Sequence, residues 1–387
     1  MRITDVRITP VAVPRKPSSS ESGPPQLLSA ILIELDTDDG ITGIGESPWQ
    51  NARSPELLES AGSFLMGNDP RNINLLMREV RSRYSSAVRS CTEPAGIFSG
   101  IEATLWDILG KRTGLPLYKV FGGAYRKRIE FAGRIETGNA ERMEKAAAAY
   151  ASEGFRVLSF DACLSEEEDR AAAAAVRRGA PDRKVKLRID AAGSWSPDEA
   201  VRRINALAPY GLECIDRPAD MHDPAALKTV RSGVRIPLAG YDEGWMAGDV
   251  LAAVKADLLD YIHIGGRMAA GYDASRISSG IAEAAGIQCI YHVTPGLGIA
   301  LSMDLHMIAA TANCTLAAEG YGYPALEDDV IRGGKLVFSG PYCAVPELPG
   351  IGVSPDPDRI AKYHELYVRE VLCGSSPANT EKGGAPA

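Results

Sequence analysis

The spacing of hydrophobic positions predicts a mixed α+β domain in the first third of the chain. Residues 3–13 are rich in β-branched side chains and end at Pro14, as a strand would. Residues 30–35 and 41–46 flank the turn Asp38-Asp39-Gly40, an arrangement typical of a β-hairpin. Over residues 99–111 the apolar positions recur at intervals of three and four, which predicts an amphipathic helix.

After about residue 128, short β-rich runs alternate with alanine-rich helical stretches, which predicts parallel strands joined by helices. Six of the runs end in polar residues: Asp161, Asp190, Asp216, Asp242, His292 and Glu319. Their intervals are 26 to 29 residues, apart from one of 50 that fits two units. One βα unit has this length, and a barrel of eight units spans about 250 residues, with its active site at the strand carboxyl ends. An open, doubly wound sheet is the alternative, but no glycine-rich phosphate loop follows any strand.

Composition and charge narrow the class of protein further. The 387 residues are 45% hydrophobic and 24% charged, with a net charge of −8, which disfavours a nucleic-acid surface. The seven cysteines are odd in number and form no Cys-x-x-Cys pair, so a disulfide framework is not expected. We find no signal-peptide core and no run of about 20 apolar residues. A cytoplasmic protein without membrane contact is therefore predicted.

Three of the strand-end residues, Asp190, Asp216 and Asp242, suggest a metal site. Three carboxylates within a few Å repel one another unless a cation lies between them. Oxygen ligands of this kind suit Mg²⁺, which usually keeps waters and takes substrate oxygens as further ligands. The alternative is that each aspartate caps the helix after its strand.

The same segments carry motifs of a known family. IDAAGSWS at 189–196 resembles the DANGAWS segment of the mandelate racemase and muconate lactonizing groups of the enolase superfamily. LECIDRP at 212–218 resembles their LEFIEQP, with Asp216 in place of glutamate. IPLAGYDE at 236–243 resembles IPIAADE, and the third ligand is then Asp242 or Glu243. Further matching segments lie at residues 99–111, 115–118, 121–124, 333–335 and 349–352.

The resemblance implies an α/β fold: a modified TIM (β/α)₇β-type barrel with an N-terminal α+β capping domain that the C-terminal segment completes. We expect the capping domain at residues 1–125, the barrel at 126–334, the return to the cap at 335–373 and a disordered tail at 374–387. By analogy with the family, a homo-oligomer is also expected.

The resemblance also implies a chemistry. In this family Mg²⁺ binds a substrate carboxylate, a barrel side chain removes the α-proton, and the metal stabilises the enediolate. The family usually carries Lys-x-Lys on the second barrel strand, and here Ser159 and Asp161 occupy those positions. On the sixth strand Gly265 takes the place of the usual Lys or Asp. His292 and Glu319, in contrast, match the seventh-strand histidine and the eighth-strand glutamate.

The resemblance, together with the chemistry of these side chains, implies their roles. His292 is the candidate general base or acid, because imidazole titrates near neutral pH. Glu319 is expected to hydrogen-bond the enediolate or, if protonated, to hold the substrate. Asp161 is a base, a partner for a cationic substrate, or an ion-pair partner of Arg134. His263 lies on the same strand face as Gly265, where it either assists the reaction or fills the barrel.

The capping domain and the second strand supply the remaining substrate-binding candidates. Trp49, in a cap loop, is either a substrate-facing aromatic or an ordinary surface residue. Ser159 and Arg134 lie on strands that line the predicted mouth.

The expected function is that of a Mg²⁺-dependent lyase, of the acid-sugar dehydratase type, acting on a small carboxylate. Cycloisomerisation, or racemisation and epimerisation, are the alternatives within the family; two-base chemistry needs a second base, for which Asp161 is the candidate. A catalytically degenerate binding protein is the alternative that the missing lysines support. A phosphate-binding barrel enzyme would need glycine-rich loops, for which only residues 294–298 qualify.

Overall fold

The computed structural model of the protein describes residues 1–16, 26–84, 95–241, 245–266 and 271–373. Asp242 and Glu243, two of the predicted metal ligands, lie outside the described residues, as does the predicted disordered tail at 374–387. Within the described part of the chain, no helix combines the length and the hydropathy that a bilayer span requires. The cytoplasmic location and the homo-oligomeric assembly stay predictions.

The N-terminal part is an antiparallel sheet covered by helices. Its strands are β1 (Ile3–Pro14), β2 (Leu27–Thr37) and β3 (Thr42–Pro48), in the order β1-β2-β3. The hairpin predicted around Asp38-Asp39-Gly40 is confirmed, and Gly40 adopts a φ of 79° there. The helices are α1 (Ser54–Leu65), α2 (Ile73–Arg83), α3 (Ser99–Thr113) and the short α4 (Leu117–Val120).

Helix α3 packs so closely against β3 that the two backbones are in contact, because glycines line both surfaces. A Cβ atom at Gly45 would lie 2.0 Å from the carbonyl oxygen of Gly100, so no side chain fits at this position. The Ser47 hydroxyl accepts a bond from the Gly100 N–H and donates one to the Ile97 carbonyl. The close approach fixes α3 on the sheet.

Seven parallel strands form the second sheet, in the order β11 to β5. They are β5 (Gly133–Arg134), β6 (Val157–Asp161), β7 (Lys186–Asp190), β8 (Leu212–Asp216), β9 (Leu238–Gly240), β10 (Tyr261–Ile264) and β11 (Gln288–Tyr291). The helices between and after them are α5 (Ala140–Ser152), α6 (Glu166–Gly179), α7 (Pro197–Leu207), α8 (Pro224–Gly233), α9 (Ala247–Lys255), α10 (Tyr272–Ala284) and α11 (Gly298–Ala310).

A short eighth segment joins the two edges of this sheet. The Ala132 N–H donates to the Ala318 carbonyl at 2.9 Å, and the Glu319 N–H donates to the Tyr291 carbonyl at 2.9 Å. Ala318 therefore pairs beside β5 and Glu319 beside β11, which closes the curled sheet. The predicted fold class, a barrel with an α+β capping domain, is confirmed.

The C-terminal segment returns towards the N-terminal part. Strand β12 (Phe338–Ser339) pairs with β13 (Tyr342–Ala344), and β13 pairs with β4 (Arg128–Glu130). Helix α12 (Pro357–Tyr367) packs on β1. His364 on α12 bonds to the Pro10 carbonyl at 2.8 Å. The domain boundaries at 125, 334 and 373 stay predictions.

Two buried glutamates of the cap bind the first turns of barrel helices. Glu46 accepts from the N–H groups of Leu297 and Ala300 at the start of α11, at 2.8 and 2.9 Å. Glu102 accepts from those of Tyr272 and Asp273 at the start of α10, at 3.1 and 2.7 Å. A carboxylate at a helix N-terminus satisfies unpaired N–H groups and the helix dipole. The cap is thereby held against the two helices that follow β10 and β11.

Candidate active site

Asp190 and Asp216 end two neighbouring strands, β7 and β8, and face each other as register partners. Neither caps the helix that follows it: the side chain of Ser196 caps α7 and that of Asp223 caps α8. The helix-cap alternative is therefore wrong for both aspartates. Parallel strands bring their carboxyl ends to one edge, and this places the two carboxylates together at the barrel mouth.

The Asp190 carboxylate carries a cationic partner that the sequence motifs did not predict. Arg217, the residue directly after β8, donates from Nε to Asp190 Oδ1 at 3.0 Å and from Nη2 to Oδ2. Its guanidinium also lies 5.0 Å from the ring centre of Tyr241. Both side chains of the pair are mostly buried, with 25% and 17% of their surface exposed.

Asp216 is more deeply buried and less completely bonded. Its Oδ1 atom has no hydrogen-bond partner, and its Oδ2 atom lies 3.1 Å from His263 Nε2, outside hydrogen-bond geometry. Burial raises the pKa of Asp216 well above its ordinary value, and the negative charge of Asp190 raises it further, while Arg217 opposes the shift. A buried carboxylate oxygen without a partner is costly unless a cation or donor reaches it.

These two carboxylates fit a hard cation. Mg²⁺ prefers oxygen ligands, and the unpartnered oxygen of Asp216 lies beside a second strand-end carboxylate. Within the described ranges no cluster of three His, Cys, Asp or Glu side chains has metal-binding proximity. The candidates for the third ligand, Asp242 and Glu243, lie outside those ranges.

Two imidazoles and a phenol pack together next to the carboxylates. The ring centre of Tyr241 lies 5.2 Å from that of His263 and 5.6 Å from that of His292, and the two imidazoles are 6.3 Å apart. His263 is buried, whereas His292 is partly exposed. Burial lowers the pKa of His292, and the charges of Glu319 and Asp190 oppose that shift. A lowered pKa favours the neutral imidazole, which is the form that accepts a proton.

Glu319 lies beside His292 and is held by two donors, one on β6 and one on β7. Ser159 Oγ donates to Oε2 at 2.9 Å, and Arg188 Nη1 donates to Oε1 at 2.7 Å. Arg188, itself only 2% exposed, also donates to Glu213 at 2.6 Å. The sequence reasoning missed Arg188, although it precedes Asp190 by two residues and so shares its strand face.

Asp161 and Arg134 form an ion pair at the rim of the barrel. Their side chains are 57% and 40% exposed, so water screens this pair strongly. Of the three roles predicted for Asp161, pairing with Arg134 is the one observed in the structure.

Trp49, in the cap, donates from Nε1 to the Tyr367 hydroxyl at 3.1 Å, and the two rings meet edge to face. This contact ties the loop after β3 to helix α12. Substrate contact by Trp49 stays a prediction.

Comparison with known families agrees with this architecture. Residues 3–122 match the family described as "Mandelate racemase / muconate lactonizing enzyme, N-terminal domain". Residues 141–359, more than half of the chain, match "Enolase C-terminal domain-like". The chain belongs to the enolase superfamily. The resemblance inferred from the sequence motifs is thus confirmed.

Relatives within the superfamily carry several activities. The chain is 28% identical over 332 residues to the hydrophobic dipeptide epimerase of Enterococcus faecalis, covering 84% of this chain and 91% of the epimerase. It is 26% identical over 412 residues to the probable glucarate dehydratase of Streptomyces coelicolor, covering 95% of this chain and 92% of the dehydratase.

A solved structure supports the likeness in three dimensions. The dipeptide epimerase of Enterococcus faecalis, complexed with Mg and the dipeptide L-Leu-L-Tyr, matches with a TM-score of 0.82 and 26% identity. The match covers 92% of this chain and all of that one. As a member of the enolase superfamily with relatives of these kinds, the protein is an enzyme, an isomerase or a lyase.

Proposed function

We propose that the protein is a Mg²⁺-dependent lyase that removes water from a small hydroxycarboxylate of the acid-sugar type, with His292 as its acid and base. One observation carries the proposal: His292 and Glu319 adjoin each other at the barrel mouth that also holds the paired carboxylates Asp190 and Asp216. A proton acceptor and a candidate cation site thus share one opening.

His292 alone can move both protons of a dehydration. The neutral imidazole takes the proton from the carbon next to the substrate carboxylate, and the electron pair of that C–H bond forms a C=C bond. The imidazolium then gives its proton to the leaving β-hydroxyl as the C–O bond breaks, so water departs. The enol that remains tautomerises to a 2-keto acid. No second base is needed, which suits a site without the Lys-x-Lys pair.

The carboxylates have a separate task. Asp190 and Asp216 would hold Mg²⁺ together with Asp242 or Glu243. When bound, Mg²⁺ would anchor the substrate carboxylate and offset the negative charge that develops on it. Glu319, with one oxygen bonded to Arg188 and the other to Ser159, is a fixed hydrogen-bond acceptor that suits a substrate hydroxyl.

Epimerisation is the second candidate, favoured by the 28% identity to the dipeptide epimerase of Enterococcus faecalis. Inverting a carbon centre requires a base on each face of the substrate. Asp161 is the candidate for the second base, but its carboxylate is paired with Arg134. For this reason we place dehydration first.

The test is proton NMR in D₂O with Mg²⁺ and a panel of acid sugars, hydroxy acids and dipeptides. A dehydratase forms a 2-keto acid, whereas an epimerase incorporates deuterium at the α-carbon with inversion and loses no water. His292→Asn should slow either reaction about 100- to 10,000-fold, the usual contribution of a general acid or base. His364→Asn, on α12 in the cap, is the matched control and should keep full activity.

Asp161→Asn distinguishes the two candidates. A dehydratase with His292 as its base keeps most of its activity in this variant. An epimerase that uses Asp161 loses inversion while exchange from the His292 face continues. Full activity in His292→Asn, or exchange and dehydration absent across the panel with Mg²⁺ bound, would refute the proposal.

A further inference from the structure

The Asp190 carboxylate is already occupied by donors from this chain. Its Oδ1 atom accepts from the Ala192 N–H at 2.8 Å and from Arg217 Nε at 3.0 Å, and its Oδ2 atom accepts from Arg217 Nη2. The arginine contact is bidentate, the strongest geometry for an arginine on a carboxylate. A cation that needs Asp190 as a ligand therefore meets a competitor.

Arg217 is also fixed in place by its backbone. Its φ of 45° lies in the left-handed region, which is uncommon for a side chain of this size. Its N–H donates to the Ala239 carbonyl at 3.0 Å, and its carbonyl accepts from the Gly193 N–H at 2.8 Å. Strained backbone held in this way tends to occur at functional sites.

The Arg217 guanidinium also makes a cation–π contact, because it lies 5.0 Å from the ring centre of Tyr241. Tyr241 packs in turn against His263 and His292. The Arg217 side chain thus contacts both the candidate ligand Asp190 and Tyr241, the ring that packs against the candidate acid–base residue.

We propose that Arg217 is a built-in counter-cation of Asp190, which Mg²⁺ must displace to complete its site. The inference rests on the Mg²⁺ site of the proposed function. The guanidinium and a bound metal ion would share the same carboxylate oxygens, and two positive charges on one carboxylate repel each other. Arg217 thereby weakens the binding of Mg²⁺.

The experiment is calorimetric titration of the metal-stripped full chain with Mg²⁺ alone. Arg217→Asn removes the charge and keeps a residue that tolerates a positive φ. We expect it to bind Mg²⁺ at least tenfold more tightly than the unmodified protein, about 1.4 kcal/mol by the standard conversion. Arg217→Lys keeps the charge, so its gain in binding free energy should be less than half of that of Arg217→Asn.

Arg134→Gln is the matched control. It removes the same charge at the same mouth, but from a partner, Asp161, that is not a candidate ligand. Its Mg²⁺ affinity should change less than twofold. Circular dichroism of each variant verifies folding.

The outcomes separate this inference from the function on which it rests. Tighter Mg²⁺ binding by Arg217→Asn, without a matching gain in Arg134→Gln, supports the inference. Equal affinity in the unmodified protein and Arg217→Asn overturns it and leaves the metal site standing, as does weaker binding in that variant. Binding in neither protein overturns both the inference and the Mg²⁺ site.

Discussion

Replacing Arg188 with methionine is expected to destabilise the folded barrel. The guanidinium donates to Glu213 at 2.6 Å, to Glu319 at 2.7 Å and to the Ala317 carbonyl at 2.8 Å. Methionine fills a similar volume but carries no charge, so it leaves two acidic side chains without their cation. Those side chains are only 16% and 10% exposed, and solvent replaces little of the lost interaction.

Removing one partner of a buried ion pair costs about 3 to 5 kcal/mol. For a chain of 387 residues, the unfolding entropy is about 0.8 kcal/mol/K, so the melting temperature should fall by about 4 to 6 °C. Arg202→Met is the control, since Arg202 pairs with Glu166 at 2.7 Å while 64% exposed. A pair exposed to this degree contributes about 0–1 kcal/mol.

Differential scanning calorimetry at pH 7 measures both variants. The double variant Arg188→Met/Glu319→Gln should lose less stability than the two single variants together, because glutamine leaves no unpaired charge there. A fall below 1 °C in Arg188→Met, or strict additivity in the double variant, would contradict the assignment of a stabilising ion pair to this cluster.

Three further predictions concern the cap and its contacts. Burial lowers the pKa of His306 to about 4, so its folded state binds fewer protons than the unfolded state between about pH 6.5 and 4. The contribution of His306 to the free energy of unfolding should therefore fall by about 2–3 kcal/mol from pH 7.5 to 4.5. The difference between the urea unfolding of the protein and that of His306→Gln measures this contribution, and an equal change with pH in both would refute it. Gly45→Ala should lower the free energy of unfolding by more than about 1 kcal/mol, because the added methyl group would overlap with the backbone of Gly100. An unchanged melting temperature would contradict the close contact between β3 and α3. Glu46→Gln should lower the free energy of unfolding by about 1–3 kcal/mol, because one N–H at the start of α11 loses its acceptor. An unchanged rate of hydrogen exchange at the amides of Leu297 and Ala300 would contradict this prediction.

The fold was predictable because its strands repeat. Polar residues at βα intervals indicated where strands end, and β6, β7 and β8 do end at Asp161, Asp190 and Asp216. The cap hairpin was predictable from its turn residues, since Gly40 allows a backbone that other residues rarely adopt. Such local signals do not depend on distant parts of the chain.

The partners of the site residues were harder to predict. Arg217 reaches Asp190 across 27 residues of sequence, and Arg188 reaches Glu319 across 131. Strand alternation places Arg188 on the inner face, but it does not say which carboxylate the guanidinium meets. Only the curvature of the closed barrel determines that choice.

The charges that the structure brings together suggest how the site works without lysines on the second strand. Three arginines each bind a carboxylate at the barrel mouth or interior: Arg134 binds Asp161, Arg188 binds Glu319 and Glu213, and Arg217 binds Asp190. With Asp216, this network of described residues holds five carboxylates against three guanidinium groups. Carboxyl groups outnumber guanidinium groups in this network, which favours the binding of a cation there. A variant that removes one of these arginines thus changes the charge balance at the proposed metal site as well as one ion pair. Its effect on Mg²⁺ affinity should be larger the nearer its carboxylate partner lies to Asp216.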